Sequence, residues 1–259
     1  MIKNKQTLPR FELVNEKPLF DDGPGKYRIG IIVMSTDYVT ERDFINMRPN
    51  DDVCYYVARL ANSSDNNPDT LKAMEPLLGQ AASLILPKGR LDSIAYSCTA
   101  ASAILGKDRV NAAIASGRAD VPATSPIYAA TDALNAFGAK RISVLTPYQE
   151  SVNTLIADRI ETNGFDIMRY VTFDFDNDMD MAHLVSKSIE TAAIQADHEE
   201  AEALFISCTA IRSCEIIERL EQRLGKPVVT AVQALFWKSL RLSGFTGKVP
   251  GYGQLLRQF

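Results

Sequence analysis

Two identical tetrapeptides carry most of the chemistry this chain can do: Ser97-Cys98-Thr99-Ala100 and Ser207-Cys208-Thr209-Ala210. Each follows a short apolar run of buried-strand character and leads into a segment with helical pattern. A cysteine at such a turn has its thiolate favoured by free backbone N–H groups and by the helix dipole. It is then a nucleophile or base that needs no neighbouring histidine. The backbone N–H groups of Thr99-Ala100 and Thr209-Ala210 can receive a carboxylate, and the threonine hydroxyls add donors. Two thiols facing each other across a bound acid can work in opposite directions. One removes a proton beside the carboxylate and the other returns one to the opposite face, which is racemisation. Alternatively one thiolate adds to a C=C bond, the bond rotates, and elimination follows, which is cis–trans isomerisation.

Other residues fall near the same place. Ser35-Thr36-Asp37 follows the first strand, and Ser35 and Asp37 are candidate substrate contacts. Tyr148, in Thr146-Pro147-Tyr148, occupies the equivalent position of the second half and can donate a phenolic hydrogen bond to a carboxylate. Asn177 follows a later strand and can bond substrate or serve as a turn residue; Arg59 can pair with an acid. Cys54 and Cys214 read as small buried hydrophobes. With two histidines, His183 and His198, and no CxxC pair, a zinc site is not expected. The chain has no dinucleotide glycine motif, P-loop or HExxH pattern, and no cofactor is expected.

These residues must be held by an α/β scaffold. The strands expected are Tyr27–Met34, Val53–Leu60, Ser93–Tyr96, Arg141–Thr146, Asp166–Phe173, Glu202–Ile206 and Pro227–Thr230. Several are near-continuous β-branched runs, the pattern of parallel strands buried on both faces. Helices are expected over Pro68–Leu86 with Asp69 as cap, from about Ala101, over Gln149–Asn163 and Met181–Ala196, from about Ile211, and over Val232–Leu242. The order repeats. Met34 precedes Cys98 by 64 residues and Thr146 precedes Cys208 by 62, so the chain reads as an internal duplication. The expected fold is α/β, with two pseudo-symmetric parallel-sheet, Rossmann-like halves and the site in the cleft between them, where strand carboxyl ends meet. The expected division is residues 1–26 as an N-terminal extension, 27–120 plus 232–259 as the first half, and 121–231 as the second.

Composition sets the outer bounds. The 259 residues are 46% hydrophobic and 23% charged, with a net charge of −4, ordinary values for a globular enzyme. The acidic balance argues against nucleic acid as a partner. No stretch approaches a membrane span and the first residues lack a secretory apolar core, so a cytoplasmic protein is expected.

The segments IGIIVMSTDYVTE (29–41), IAYSCTAAS (94–102), RISVLTPY (141–148), LFISCTAIR (204–212) and VTAVQALFWKSLRLSG (229–244) resemble the aspartate/glutamate racemase superfamily. Within it they are most similar to the branch of maleate cis–trans isomerase and arylmalonate decarboxylase, and there to the ectoine-utilisation protein of that branch. The resemblance implies a cofactor-independent isomerase of a small carboxylic acid. Cys98 would be the nucleophile and Cys208 its acid/base partner, with Tyr148 and Asn177 at the substrate carboxylate beside the Ser35 turn. It allows a homo-oligomer. Three departures stand out: Asp37 replaces an asparagine, the first turn continues Ala100-Ala101-Ser102, and Ala231-Val232-Gln233-Ala234 loses two polar groups. They favour an amino- or acylamino-acid over maleate. The sequence reading is therefore a two-cysteine racemase or isomerase of ectoine-degradation type. Its alternatives are a maleate-type cis–trans isomerase and a non-catalytic small-acid-binding protein.

Overall fold

The computed structural model describes residues 14–259. The first thirteen residues of the expected extension lie outside the described residues, and residues 14–26 form no regular element. The chain then runs β1 (Tyr27–Met34), α1 (Thr40–Met47), β2 (Val53–Leu60), α2 (Pro68–Lys72), α3 (Leu78–Leu84), β3 (Ser93–Tyr96), α4 (Thr99–Leu105), α5 (Lys107–Ala115), β4 (Ala123–Thr124) and α6 (Pro126–Ala136). It continues β5 (Arg141–Tyr148), α7 (Glu150–Thr162), β6 (Asp166–Phe175), α8 (Asp178–His183), α9 (Ser186–Ala196), β7 (Ala203–Ile206), α10 (Ile217–Leu224), β8 (Val228–Thr230), α11 (Ala231–Leu242) and α12 (Gly253–Gln258).

The strands form two four-stranded parallel sheets, ordered β2-β1-β3-β4 and β6-β5-β7-β8. The orders correspond strand for strand, so the repeat in the sequence is a repeat in space. The apolar runs make the central strands: β3 and β7 are buried throughout, and β1 is buried from Arg28 onward. Helices on both faces remove these strands from water, as continuous hydrophobic strands require. The edge strand β6 is partly exposed along its length. After β8 the chain crosses to the first sheet, where α11 packs on α6, β3 and α1. Phe236 meets Phe44 edge-on with ring centroids 5.2 Å apart, and the Ser93 hydroxyl donates to the Ser239 carbonyl at 3.1 Å.

Several helices differ from their expected form. The helix expected over Pro68–Leu86 is broken: α2 ends at Lys72, a single 3-10 turn spans Glu75–Leu77 around Pro76, and α3 follows. Proline removes a backbone donor and crowds the preceding turn. Its cap is Asn67, which accepts from the Asp69 and Thr70 N–H groups, rather than Asp69. The helix expected over Met181–Ala196 is two, α8 and α9, parted at Leu184-Val185 in extended conformation. The helix expected from Ile211 does not form there; the chain stays irregular until a 3-10 turn at Cys214–Ile216. No helix among the described residues is long and apolar enough to cross a membrane.

Candidate active site

The first cysteine turn is built by helix initiation. Cys98 leaves β3 in extended backbone, φ −139°, and is the N-cap of α4. Its carbonyl accepts from the Ser102 N–H at 3.2 Å. The small residues Thr99 to Ala103 are all buried and let α4 sink into the core, which brings the Ala101 N–H near the Cys98 sulfur without a capping hydrogen bond.

The second turn shares the tetrapeptide but not the backbone. Cys208 has φ +129°, a conformation that costs a non-glycine residue on the order of 1–3 kcal/mol and is kept only where the surroundings enforce it. Its sulfur accepts from the Ala210 N–H at 3.2 Å. Here Ile211 and Ser213 replace the helix-forming alanines, and the Arg212 guanidinium is tied to the Leu184 carbonyl by bonds of 3.1 and 2.8 Å. This holds the chain away from a helical path.

The turns are joined directly. The Thr209 hydroxyl donates to the Ser97 carbonyl at 3.1 Å. The Ser97 hydroxyl lies 2.7 Å from the Thr40 hydroxyl, which itself donates to Asp37 at 2.6 Å. Because the Thr40 proton is committed to the carboxylate, Ser97 is the donor to Thr40.

Both cysteines line one narrow cavity of about 30 Å³. Its wall comes from the ends of six strands and the loops behind them: Met34 at the end of β1 with Thr36 and Asp37 after it, Asn66 after β2, Ser97 to Ala100 after β3, Tyr148 at the end of β5, Asp178 after β6, and Cys208 to Ala210 after β7. A broad outer groove of about 770 Å³ adjoins it through Thr36 and Asp37.

Burial dominates the electrostatics. It pushes the Cys98 and Cys208 thiols each up to about 12. The Ala101 N–H and the Tyr96 hydroxyl work against this at Cys98, and the Tyr148 phenol and Ala210 N–H do so at Cys208. The Asp178 carboxylate adds to the rise at both. Burial also drives the Tyr148 phenol well above its ordinary value, so it keeps its proton and serves as a donor. Thr99 lines the cavity, and its hydroxyl is buried without a partner, a donor left free for a bound acid.

Of the residues singled out by sequence, Cys98, Thr99, Ala100, Asp37, Tyr148, Cys208, Thr209 and Ala210 meet at this cavity. Ser35 and Asn177 do not line it. Ser35 donates to Asn62 at 2.7 Å, and Asn177 caps α8 by accepting from the Asp180 N–H. The Asp37 carboxylate is largely engaged in closing the turn into α1, accepting from the Val39 and Thr40 N–H groups at 2.7 and 2.8 Å. Burial raises its pKa, and those bonds oppose the rise. Arg59 pairs with Glu41 at 3.0 Å, in the outer groove.

Sequence reasoning passed over Thr36, Asn66 and Asp178. The signal was available: Thr36 lies inside the Ser35-Thr36-Asp37 turn, and the loops after the second strand of each half, which hold Asn66 and Asp178, also leave the carboxyl edge of a sheet. Those loops meet. Asp65 and Asn177 form an antiparallel bridge, with Asn66 N–H to the Asp176 carbonyl at 2.8 Å and Asp178 N–H to the Ser64 carbonyl at 3.1 Å.

A sequence profile of the arylmalonate decarboxylase family matches residues 88–256. The maleate isomerase of Alcaligenes faecalis is 25% identical over 245 residues, spanning 89% of this chain and 96% of that protein. The arylmalonate decarboxylase of Bordetella bronchiseptica is 28% identical over 141 residues, 52% of this chain and 58% of that protein. In fold, the chain matches the Nocardia farcinica maleate cis-trans isomerase solved as a variant with a covalently bound succinylcysteine intermediate. The TM-score is 0.83 at 24% identity, over 90% of this chain and 99% of that one.

Proposed function

The chain belongs to the arylmalonate decarboxylase family, and we propose that within it the protein is a two-cysteine cis–trans isomerase of maleate type, acting on a short unsaturated carboxylic acid. The observation that carries this reading is the pair Cys98 and Cys208 in one cavity, Cys98 at the N-terminus of α4 and the Cys208 sulfur accepting from the Ala210 N–H. The near full-length relationship to a maleate isomerase supports it, as does the covalent cysteine adduct in a relative of the same fold.

In the reactive form the cysteine pair holds one proton, with Cys98 as thiolate and Cys208 as thiol. Such a pair titrates as a unit. The Cys98 sulfur adds to one alkene carbon. The displaced electron pair moves to the neighbouring carbon and takes the Cys208 proton. The former double bond is then single and rotates. Cys208 removes the proton again, the C–S bond breaks, and its electron pair returns to Cys98. The Ala101 and Ala210 N–H groups favour the two sulfur anions in turn. The Thr99 hydroxyl and the Tyr148 phenol hold the acid. No step calls for a group beyond the chain and its substrate.

A racemase of an amino-acid derivative, of the ectoine-degradation type, uses the same pair without a covalent bond, and the carboxylate of Asp178 in the cavity supports it. One experiment separates the two. Maleate, maleamate (its monoamide), aspartate and N-acetyl-2,4-diaminobutyrate are incubated with the enzyme in deuterated buffer and followed by proton NMR. A trans product, lost in both Cys98→Ser and Cys208→Ser, together with an adduct of one substrate mass on Cys98 in Cys208→Ser, is the expected result. Deuterium at the α-carbon of an amino acid without adduct would establish the racemase. Retained turnover in Cys98→Ser would overturn both.

A further inference from the structure

Asp178 is the first residue of α8, immediately after the Asn177 cap, and its carboxylate lines the cavity together with both cysteines. It is held by side chains that belong to the loops after β1 and β2. Oδ1 accepts from the Asn66 amide at 2.6 Å. Oδ2 accepts from the Thr36 hydroxyl at 2.5 Å and the Asn62 amide at 3.1 Å. A carboxylate offers about four lone-pair sites. Three are filled, and the remaining one is on Oδ1.

The rest of the wall sets the charge balance. Its formal charges are Asp178 and Asp37, and none of the lining residues is Lys, Arg or His. Both thiols sense the Asp178 charge. A substrate with two carboxylates would bring a third and fourth negative charge into this small desolvated space with no cation to meet them. One carboxylate alone finds uncharged donors in the Thr99 hydroxyl, buried and unpartnered, and the Tyr148 phenol.

We infer that Asp178 fixes the substrate class: a short acid with one carboxylate and, in place of the second, an N–H-bearing group, amide or ammonium, that donates to Asp178. The inference rests on the isomerase reading for the reaction but on the cavity wall for the selectivity. Asp178 acts as a specificity-determining residue, and Asn66, Thr36 and Asn62 position it.

The test reads binding apart from turnover. Calorimetry compares succinate with two unreactive probes that place a nitrogen at the far end, succinamate and 4-aminobutanoate, on wild type and Asp178→Asn. Wild type should bind at least one nitrogen probe about tenfold or more tighter than succinate, and the better of the two identifies amide or ammonium. In Asp178→Asn that preference should fall at least about tenfold. Succinate binding as tightly as both probes in wild type, binding of none of the three, or a preference unchanged in Asp178→Asn would each overturn the inference; the wild-type series decides it even where the variant fails to fold. Maleamate turnover is measured in parallel. Selectivity without isomerisation sinks the isomerase reading and keeps Asp178, whereas isomerisation without selectivity does the reverse.

Discussion

Asp43 is a carboxylate on the wrong side of the solvent boundary. It sits on α1, the helix whose Thr40 supports Ser97 beside Cys98, and it is 1% exposed. Arg42 lies 3.6 Å from Oδ1, but Oδ2 is buried without a partner. Burial raises its pKa from 3.8 to about 6, with Arg42 opposing. The usual carboxylate pattern is thereby inverted. Below pH ~4 the folded and unfolded chains both hold the proton. Between pH ~4 and ~6 the unfolded chain releases it while the folded chain retains it, so stability falls as pH rises. Above pH ~6 the penalty is complete, at about 3 kcal/mol for a shift of about two pKa units. Asp43→Asn removes it. The attraction to the partly exposed Arg42 is already contained in that net shift. The expected gain is therefore roughly 3 kcal/mol at pH 8 and close to nothing at pH 4. Urea unfolding of both proteins across this range measures the difference, which isolates Asp43 from all other titrations. A gap that does not widen between pH 4 and pH 8, or a variant less stable at pH 8, would refute the reasoning.

Two other consequences are open to direct measurement. With both cavity thiols pushed up to about 12, iodoacetamide should modify Cys98 and Cys208 at pH 7.5 at least about a hundredfold more slowly than a free cysteine, the scarcity of thiolate being only partly offset by its greater nucleophilicity. The rates, followed by peptide mass spectrometry, should still climb beyond pH 10; a plateau below pH 9 would contradict the burial argument. Gly117 passes α3 so closely that an added Cβ would lie 1.9 Å from the Gly79 carbonyl oxygen. Backbone cannot step aside there, so Gly117→Ala should lower stability by about 3 kcal/mol in urea, and a loss under about 1 kcal/mol would show that α3 and α5 slide freely.

What the sequence made legible follows from which forces act locally. Buried parallel strands are written as apolar runs, so β1 and β3 could be bounded from their residues alone, and the edge strand β2 from its β-branched and aromatic residues. Helix breaks depend on subtler matters: Pro76 splits one expected helix, and Leu184-Val185 splits another without any breaker residue. The identical tetrapeptides show the limit most clearly. Ser-Cys-Thr-Ala opens a helix at Cys98 and adopts φ +129° at Cys208, because the conformation is set by the residues that follow and by Arg212 reaching a distant carbonyl. The side chain that faces the cavity after β6 was misjudged by one residue for a similar reason. Asn177 and Asp178 are adjacent and both polar, and only the cap of α8 decides which of them turns inward.

The bridge between Asp65 and Asn177 sets the terms of traffic through the molecule. A space of about 30 Å³ admits a water or two, far less than a four-carbon acid. The loops must part before substrate arrives and again before product leaves. Parting them breaks the two backbone bonds beside the bridge and the three that hold Asp178. At a net value of about 1 kcal/mol or less each, the open form lies roughly 3–5 kcal/mol uphill. It is then on the order of one molecule in a few hundred to a few thousand. Apparent affinity is weakened by that same factor. Loosening the latch should therefore tighten capture while letting water reach the thiols, and the length of time a substrate stays inside is governed by a seam that touches no reacting atom.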